Sequence, residues 1–154
     1  MKRILLLLWT TLLIFPSLTM AASAEISLST GQTIFVPAYS HIYHGNKETP
    51  LLLSVTLSIR NTDMKSAMTI KEISYYESGG KLVRKYLEEP MVLAPLAATR
   101  FVVPQRDTSG GSGANFIVTW QAEQPINPPI AETVMIGTQS QLGISFTSRG
   151  KPIQ

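Results

Sequence analysis

Beyond the first 30 residues, apolar and polar residues alternate with a period of two along much of the chain. In LLLSVTLSIR (51–60), five apolar side chains share one face and a mostly polar set lies opposite. This period is typical of a half-buried strand in an antiparallel sheet. Two further clear cases are NFIVTWQA (115–122) and LGISFTS (142–148). Weaker candidates are TIFV (33–36), MTIKEISYY (68–76), KLVRKYL (81–87), ATRFVV (98–103) and IAETVMI (130–136).

Turn residues separate these strands, and one strand contains a change in the apolar phase. In MTIKEISYY the apolar phase changes between Ile70 and Ile73, which predicts a bulge near Lys71-Glu72 or a strand crossing between sheets. Ser78-Gly79-Gly80 is typical of a hairpin turn, and Asn61-Thr62-Asp63 closes the first long strand. The proline-rich stretch EQPINPP (123–129) is expected to be a connection outside any central ladder.

The pattern as a whole predicts an all-β fold with no helix of useful length after the N-terminus. We expect a single domain over residues 25–154, an immunoglobulin-like β-sandwich of about seven to nine antiparallel strands. Trp120 would then be a core residue. A small barrel is the other architecture that this pattern allows.

The N-terminus has the features of a secretory signal peptide. A short basic start precedes the apolar run from Ile4 to Phe15, and Ala22-Ser23-Ala24 provides a small-x-small cleavage site. The apolar run is shorter than the roughly 20 residues of a membrane span, which argues against an uncleaved anchor. We therefore predict cleavage after Ala24, a periplasmic or secreted protein, and no transmembrane segment in the mature chain.

Charge and cysteine content narrow the possible functions. Removal of residues 1–24 lowers the number of basic residues from 13 to 11, against 10 acidic ones, so the mature net charge falls from +3 to +1. No cluster of Lys and Arg is present, so the sequence gives no support to nucleic-acid binding. The chain has no cysteine, which excludes disulfides, thiolate metal ligands and cysteine nucleophiles.

Two motifs fail the structural context that their chemistry requires. DTSGGSGAN (107–115) lacks the lysine and following helix of a phosphate-binding loop, and it lacks the strand-to-helix turn of a nucleophile elbow. It is expected to be a flexible turn, with a backbone nest for a small anion as the alternative. Glu88 and Glu89 are adjacent in an extended segment, so their side chains diverge and are expected to be solvated.

The stretch VPAYSHIYHG (36–45) contains both histidines of the chain, His41 and His44, together with Tyr39 and Tyr43. One hypothesis is a copper site in which His41 and His44 converge in a turn and a soft ligand completes the set. The candidates for the remaining ligands are Met64, Met68, Met91, Met135 or a carboxylate. A recognition patch is another hypothesis, because tyrosine is enriched at interfaces. The third interpretation is an ordinary strand and loop.

Several long stretches resemble a family of uncharacterised secreted bacterial proteins, catalogued only as a domain of unknown function. The resemblance covers about residues 31–154. It rests on GQTIFVPAYSHIYHG, LSVTLSIRNTD, YYESGGKLVRKYL, TRFVVPQRDTSGGSGANFIV and VMIGTQSQLGISFTSRG. It implies an exported single domain of mainly β structure, and it implies no activity, cofactor or catalytic residue.

These observations favour an exported, non-catalytic β-sandwich domain, a binding or accessory protein of the bacterial envelope. Its partner is expected to be a protein or an envelope component, contacted through loops at one end of the fold. The alternative is a periplasmic copper-binding protein that uses His41 and His44. An enzyme ranks third, because Ser40, beside His41, lies in no recognisable nucleophile motif.

Overall fold

The computed structural model describes residues 27–138 and 143–154, so the predicted signal peptide (1–24) lies outside the described residues. Within these ranges there is no α-helix, and the predicted all-β class is confirmed. Several of the strands are very short, so their number exceeds the seven to nine expected. The strands are β1 (Ser29–Pro37), β2 (His41–His44), β3 (Thr49–Leu52), β4 (Ser54–Arg60), β5 (Met68–Tyr76), β6 (Leu82–Lys85), β7 (Met91–Leu93), β8 (Ala98–Val103), β9 (Asn115–Ile126), β10 (Ile130–Gly137), β11 (Ile144–Arg149) and β12 (Lys151–Pro152).

The strands form two larger antiparallel sheets and a separate hairpin. The first sheet has the order β12-β1-β9-β5-β6, and β7 also pairs with β5. The second has the order β11-β10-β4-β8, while β2 and β3 pair only with each other. Every pairing is antiparallel.

The alternating apolar residues of both sheets bury one common core. Val55, Leu57 and Ile59 of β4 are fully buried, as the period of two predicted. Phe116, Val118 and Trp120 of β9 join the same hydrophobic cluster from the other sheet. Trp120 is 1% exposed, which confirms its predicted place in the core. Burial of each large apolar side chain contributes about 1.5–3 kcal/mol of folding free energy.

The predicted bulge in MTIKEISYY is confirmed. The pairing of β5 with β9 shifts register between Ile70 and Glu72, so Lys71 has no partner residue opposite it. The extra residue explains the change of apolar phase, because it turns Ile73 back toward the core after Ile70. Strand β5 therefore stays in one sheet.

Two predicted boundaries are wrong. LLLSVTLSIR is divided at Leu53 into β3 and β4, because the Leu53 N–H donates to the Ser40 carbonyl oxygen at 2.9 Å instead of joining a ladder. Strand β9 continues to Ile126, so the connection begins only at residue 127. Pro125 is nevertheless outside the regular ladder, because the register of β9 with β1 jumps from Gln121 to Ile126.

The chain passes from the second sheet to the first at Gly150, between β11 and β12. The Gly150 N–H donates to the Ala131 carbonyl oxygen at 2.8 Å. A Cβ at this position would lie 2.7 Å from the Ile34 side chain and 2.9 Å from the Ala131 oxygen, so only glycine fits without displacement. The Thr133 hydroxyl also links the two sheets by donating to the Pro37 carbonyl oxygen at 2.6 Å.

Strand direction gives the fold two distinct ends. Strand β4 starts next to the β2–β3 hairpin and ends at Arg60, opposite Ile130 and Ala98. We call the first the hairpin end, which also carries the turn at Ser78 and the loop 104–114. The other is the distal end, which carries residues 61–67 and 127–129. None of the described segments is a helix with the length and apolar character needed to cross a membrane.

Candidate functional site

The hairpin brings two of the four predicted site residues into contact. His41 and Tyr43 are two residues apart on β2, so their side chains share one face. The His41 Nε2 and Tyr43 Oη atoms are 3.1 Å apart, and the rings meet edge to face with centroids 5.1 Å apart. Pro50 lies opposite Tyr43 and Leu52 opposite His41 in the ladder. We call His41, Tyr43, Pro50 and Leu52 the aromatic hairpin face.

His44 does not join this face. It is three residues from His41 in an extended strand, and alternation places its side chain on the opposite side. Two of the proposed methionine ligands, Met68 and Met135, are buried in the core. No group of three or more His, Asp or Glu residues within 27–138 and 143–154 is placed to hold a metal ion. Copper binding by His41 and His44 stays a prediction, and it requires ligands from outside the hairpin.

Tyr39, the remaining predicted site residue, lies before the hairpin and packs against the core. Its ring meets that of Phe146 edge to face, with centroids 5.8 Å apart. It is half-buried, whereas Tyr43 is 53% exposed. Tyr39 therefore supports the base of the hairpin, and Tyr43 is the tyrosine presented to solvent.

The base of the hairpin is fastened to the glycine-rich loop. Ser40 is fully buried, and both its N–H and its hydroxyl donate to the Gly111 carbonyl oxygen, at 3.1 and 2.9 Å. On the other side of the loop, Ser78 donates to the Gly110 carbonyl oxygen and accepts from the Gly113 N–H at 2.8 Å. The stretch 107–115 leads into strand β9, as its lack of a helix signal predicted. Its hydrogen bonds position the hairpin relative to both sheets.

Two tyrosine hydroxyls are buried behind this loop without a hydrogen-bond partner in the described part of the chain, those of Tyr75 and Tyr86. Burial raises the pKa of Tyr75 to about 12. The Ser40 hydroxyl lies near this phenol and opposes the shift, although it donates to Gly111 instead. Burial also raises the pKa of Tyr86, and the Arg84–Asp107 ion pair, with an N–O distance of 3.5 Å, lies beside these rings.

The distal end contains a groove that the sequence did not reveal. Its volume is about 540 Å³, which lies within the usual range for ligand pockets of about 300–1,000 Å³. One wall comes from the start of β5 and the loop before it, and the other from the last part of β9. The lining residues are Lys65, Ser66, Ala67, Thr69, Val92, Ala122, Glu123 and Gln124.

A cluster of polar residues after β4 holds the first wall in place. The Asn61 side-chain amide donates to the carbonyl oxygens of Ser66, Leu93 and Ala94 at 2.9, 3.2 and 3.0 Å. Asn61 is only 2% exposed. Its side-chain oxygen also accepts from the Asp63 N–H at 3.0 Å, which closes the turn. One buried side chain thus ties together three separate segments.

Asp63 continues this framework toward the second wall. Its carboxylate accepts from the N–H groups of Lys65 and Ser66, both at 2.9 Å, and from the Asn127 N–H at 3.2 Å. These backbone hydrogen bonds hold the pKa of Asp63 below its ordinary value. The Asn-Thr-Asp turn was visible in the sequence as a strand end. Its role could not be read there, because the backbone groups it binds, the Leu93 carbonyl oxygen and the Asn127 N–H, come from residues about 30 and 60 positions away.

A family model described as "Protein of unknown function (DUF3124)" matches residues 31–153. The chain belongs to this family. This confirms the resemblance to an uncharacterised family that the sequence predicted. No curated protein matches the chain.

One solved structure, titled "Crystal Structure of Thermotoga maritima 1070", is similar to the chain at 12% sequence identity. The match covers 78% of this chain and 92% of the other, with a TM-score of 0.46.

Proposed function

We propose that this protein is an exported, non-catalytic β-sandwich domain that binds a protein or another component of the bacterial envelope. The observation that carries the proposal is the aromatic hairpin face, on which Tyr43 is exposed yet held against His41. Tyrosine is enriched at interfaces and contributes large contact area with few rotatable bonds. A ring already held by a neighbour loses less conformational entropy on binding.

The immunoglobulin-like type of the fold is part of the same proposal. Two antiparallel sheets contribute to one core, and Trp120 lies within it, both of which are features of such sandwiches. In this architecture the loops at the end of a sandwich carry recognition. The hairpin end brings β2–β3, the turn at Ser78 and the loop 104–114 together, which suits that role.

Crosslinking in cells expressing the full chain tests the binding role. We expect a crosslinked adduct with the wild-type protein that weakens at least about tenfold in a His41→Ala/Tyr43→Ala variant, because both aromatic anchors of the face are lost. Lys71→Ala is the matched control, since Lys71 is exposed in the bulge of β5. A protein that forms no adduct, or an adduct equally strong in the double variant, would contradict the proposed surface.

Export has its own measurement. The basic start, apolar run and small residues of positions 1–24 lead us to expect a mature chain that begins at Glu25. Intact mass and N-terminal sequencing of the protein from a periplasmic extract measure this directly. Recovery of the unprocessed chain from the cytoplasm would contradict the proposed location without touching the binding surface.

A further inference from the structure

Two neighbouring strands of the first sheet are both irregular where the distal groove lies. The register of β9 with β1 jumps from Gln121 to Ile126 while β1 advances by only two residues, so residues 122–125 form a bulge. Strand β5 has its own bulge at Lys71, two residues from Thr69 in the groove lining. Bulges are over-represented next to functional sites, because they turn side chains out of the regular ladder.

The bulge of β9 supplies polar side chains to the groove, and hydrogen bonds fix the position of its two walls. Glu123 and Gln124 both line the groove. The Gln124 side-chain amide donates to the Ser66 hydroxyl at 2.6 Å, so one hydrogen bond spans the two walls. The Asp63 carboxylate accepts from the N–H groups of Lys65 and Ser66 and holds the first wall from behind. A groove held in this way loses little conformational entropy when a ligand binds.

The groove contains one cationic and one anionic side chain. Lys65 and Glu123 both line it and are exposed, and neither forms an ion pair in the described part of the chain. Thr69 adds a hydroxyl group to the lining, and Val92, which is 66% exposed, adds an apolar surface. The volume of about 540 Å³ is that of a site for a small molecule.

The two charges decide which class of ligand fits. An anion without a cationic group would bring a second negative charge to Glu123, and a cation without an anionic group would bring a second positive charge to Lys65. Like charges brought together in this way oppose binding. An uncharged apolar ligand would cover both charged groups without giving either one a partner, which costs free energy. A molecule that carries both charges gives each side chain a partner.

We propose that the distal groove binds a small zwitterion, a molecule with one carboxylate and one amine. The Lys65 ammonium group donates to the carboxylate of the ligand, and the Glu123 carboxylate accepts from its amine. Val92 contacts the aliphatic part between the two charges. This site goes beyond the proposed function, because it lies at the other end of β4 from the aromatic hairpin face.

A homologous series of amino acids tests the site: glycine, β-alanine, γ-aminobutyrate, δ-aminovalerate and ε-aminocaproate. The members differ only in the number of methylene groups between the amine and the carboxylate, so the series measures the charge separation that the groove requires. Each is titrated into the isotope-labelled protein, expressed from the full chain, and Kd is measured from the backbone amide signals in NMR spectra. We expect one member to bind most tightly, with the largest signal changes at residues 65–69 and 122–124.

Two derivatives of that member separate the contributions of its charges. Its methyl ester lacks the negative charge, and its N-acetyl derivative lacks the positive charge. We expect Kd to rise at least about tenfold for each derivative, and also for the parent amino acid with Lys65→Ala or Glu123→Gln, because each change removes one charge pair. Lys65→Ala should have little further effect on the methyl ester, which already lacks the group that Lys65 binds.

Lys81→Ala and Glu88→Gln are the matched controls, since both residues are exposed and neither lines the groove. They should leave Kd unchanged. The proposal is overturned if no member of the series shifts a signal, if the signal changes lie outside the groove, or if the amino acid and its methyl ester bind equally. An unchanged Kd in Lys65→Ala would overturn it as well. Tyr43→Ser should not alter Kd, so failure here is distinguishable from failure of the proposed function.

Discussion

At the scale of single residues, the stability of the distal end depends most on the polar side chain of Asn61. It is buried, and its side-chain amide donates to the carbonyl oxygens of Ser66, Leu93 and Ala94. Its side-chain oxygen accepts from the Asp63 N–H in the turn that follows. Asn61→Ala would remove the donor to the Ser66 and Leu93 carbonyl oxygens, at a cost of about 1–3 kcal/mol for each group that water cannot reach, whereas the Ala94 oxygen still accepts from the Ala97 N–H. We expect a loss of about 3 kcal/mol in the free energy of unfolding, measured by urea denaturation. Asn46→Ala, at an exposed turn position, should change it by less than about 0.5 kcal/mol. Equal stability of the two variants would show that the Asn61 framework does not hold the distal end.

Tyr75 makes the opposite prediction, because its buried hydroxyl has no hydrogen-bond partner in the described part of the chain. Tyr75→Phe removes an unsatisfied group and keeps the ring against Phe116, at a centroid distance of 4.8 Å. At neutral pH we therefore expect the free energy of unfolding to stay within about 1 kcal/mol of wild type, or to rise.

Ionisation of the Tyr75 phenol also makes the stability of the fold depend on pH. Its folded pKa of about 12 lies above the ordinary value of 10.0, so the protonated form is favoured by folding. This contribution is complete below pH 10 and is lost as pH rises toward 12. In thermal melts across that window, Tm of the wild type should fall more steeply than Tm of Tyr75→Phe. Tyr43→Phe, at an exposed tyrosine, should follow the wild type; parallel curves for all three proteins would contradict this origin.

At the scale of elements, the glycine-rich loop is packed so closely that one methyl group should disrupt it. A Cβ on Gly110 would overlap the Tyr75 hydroxyl and come within 2.7 Å of the Ala114 Cβ. We expect Gly110→Ala to lower the free energy of unfolding by about 1–3 kcal/mol, the usual cost of overpacking. Gly143→Ala is the control, since no atom of the described residues lies within 4 Å of its Cβ position. Calorimetry measures the Tm of both variants. Equal Tm values would contradict the packing described for this loop.

The alternation of apolar and polar residues correctly predicted the strands in which burial alternates. It failed where a contact with a distant segment interrupts a strand. The bulge at Lys71 was predictable because an inserted residue changes the apolar phase in the sequence itself. The break at Leu53 was not, because its cause is a hydrogen bond to the Ser40 carbonyl oxygen in another segment. The sequence could raise the question of whether His41 and His44 face the same way. Only the strand geometry answers it. The distal groove was beyond prediction, because its lining residues come from segments that are distant in sequence.

At the scale of the whole molecule, ionisation of the Asp63 carboxylate makes the stability of the fold depend on pH in the acid range. Its pKa is lowered by backbone N–H groups of Lys65, Ser66 and Asn127, so the folded state favours the ionised carboxylate. This contribution is present above the ordinary pKa of 3.8 and is lost as pH falls through the lower folded value. Asp63→Asn should therefore flatten the fall in Tm between neutral and strongly acid pH. Glu88→Gln, at an exposed carboxylate, should leave the fall unchanged. An unaltered acid transition in Asp63→Asn would contradict the role given to this carboxylate.

Recognition through one end of the domain is the central claim, and site-specific photocrosslinking tests it most directly. A photoreactive amino acid at position 43 lies on the aromatic hairpin face, and one at position 100 lies on β8, away from that face. In cells that export the full chain, we predict a discrete adduct from position 43 that is lost in a His41→Ala background, and none of the same mass from position 100. Identical adducts from both positions, or none from position 43, would contradict the claim.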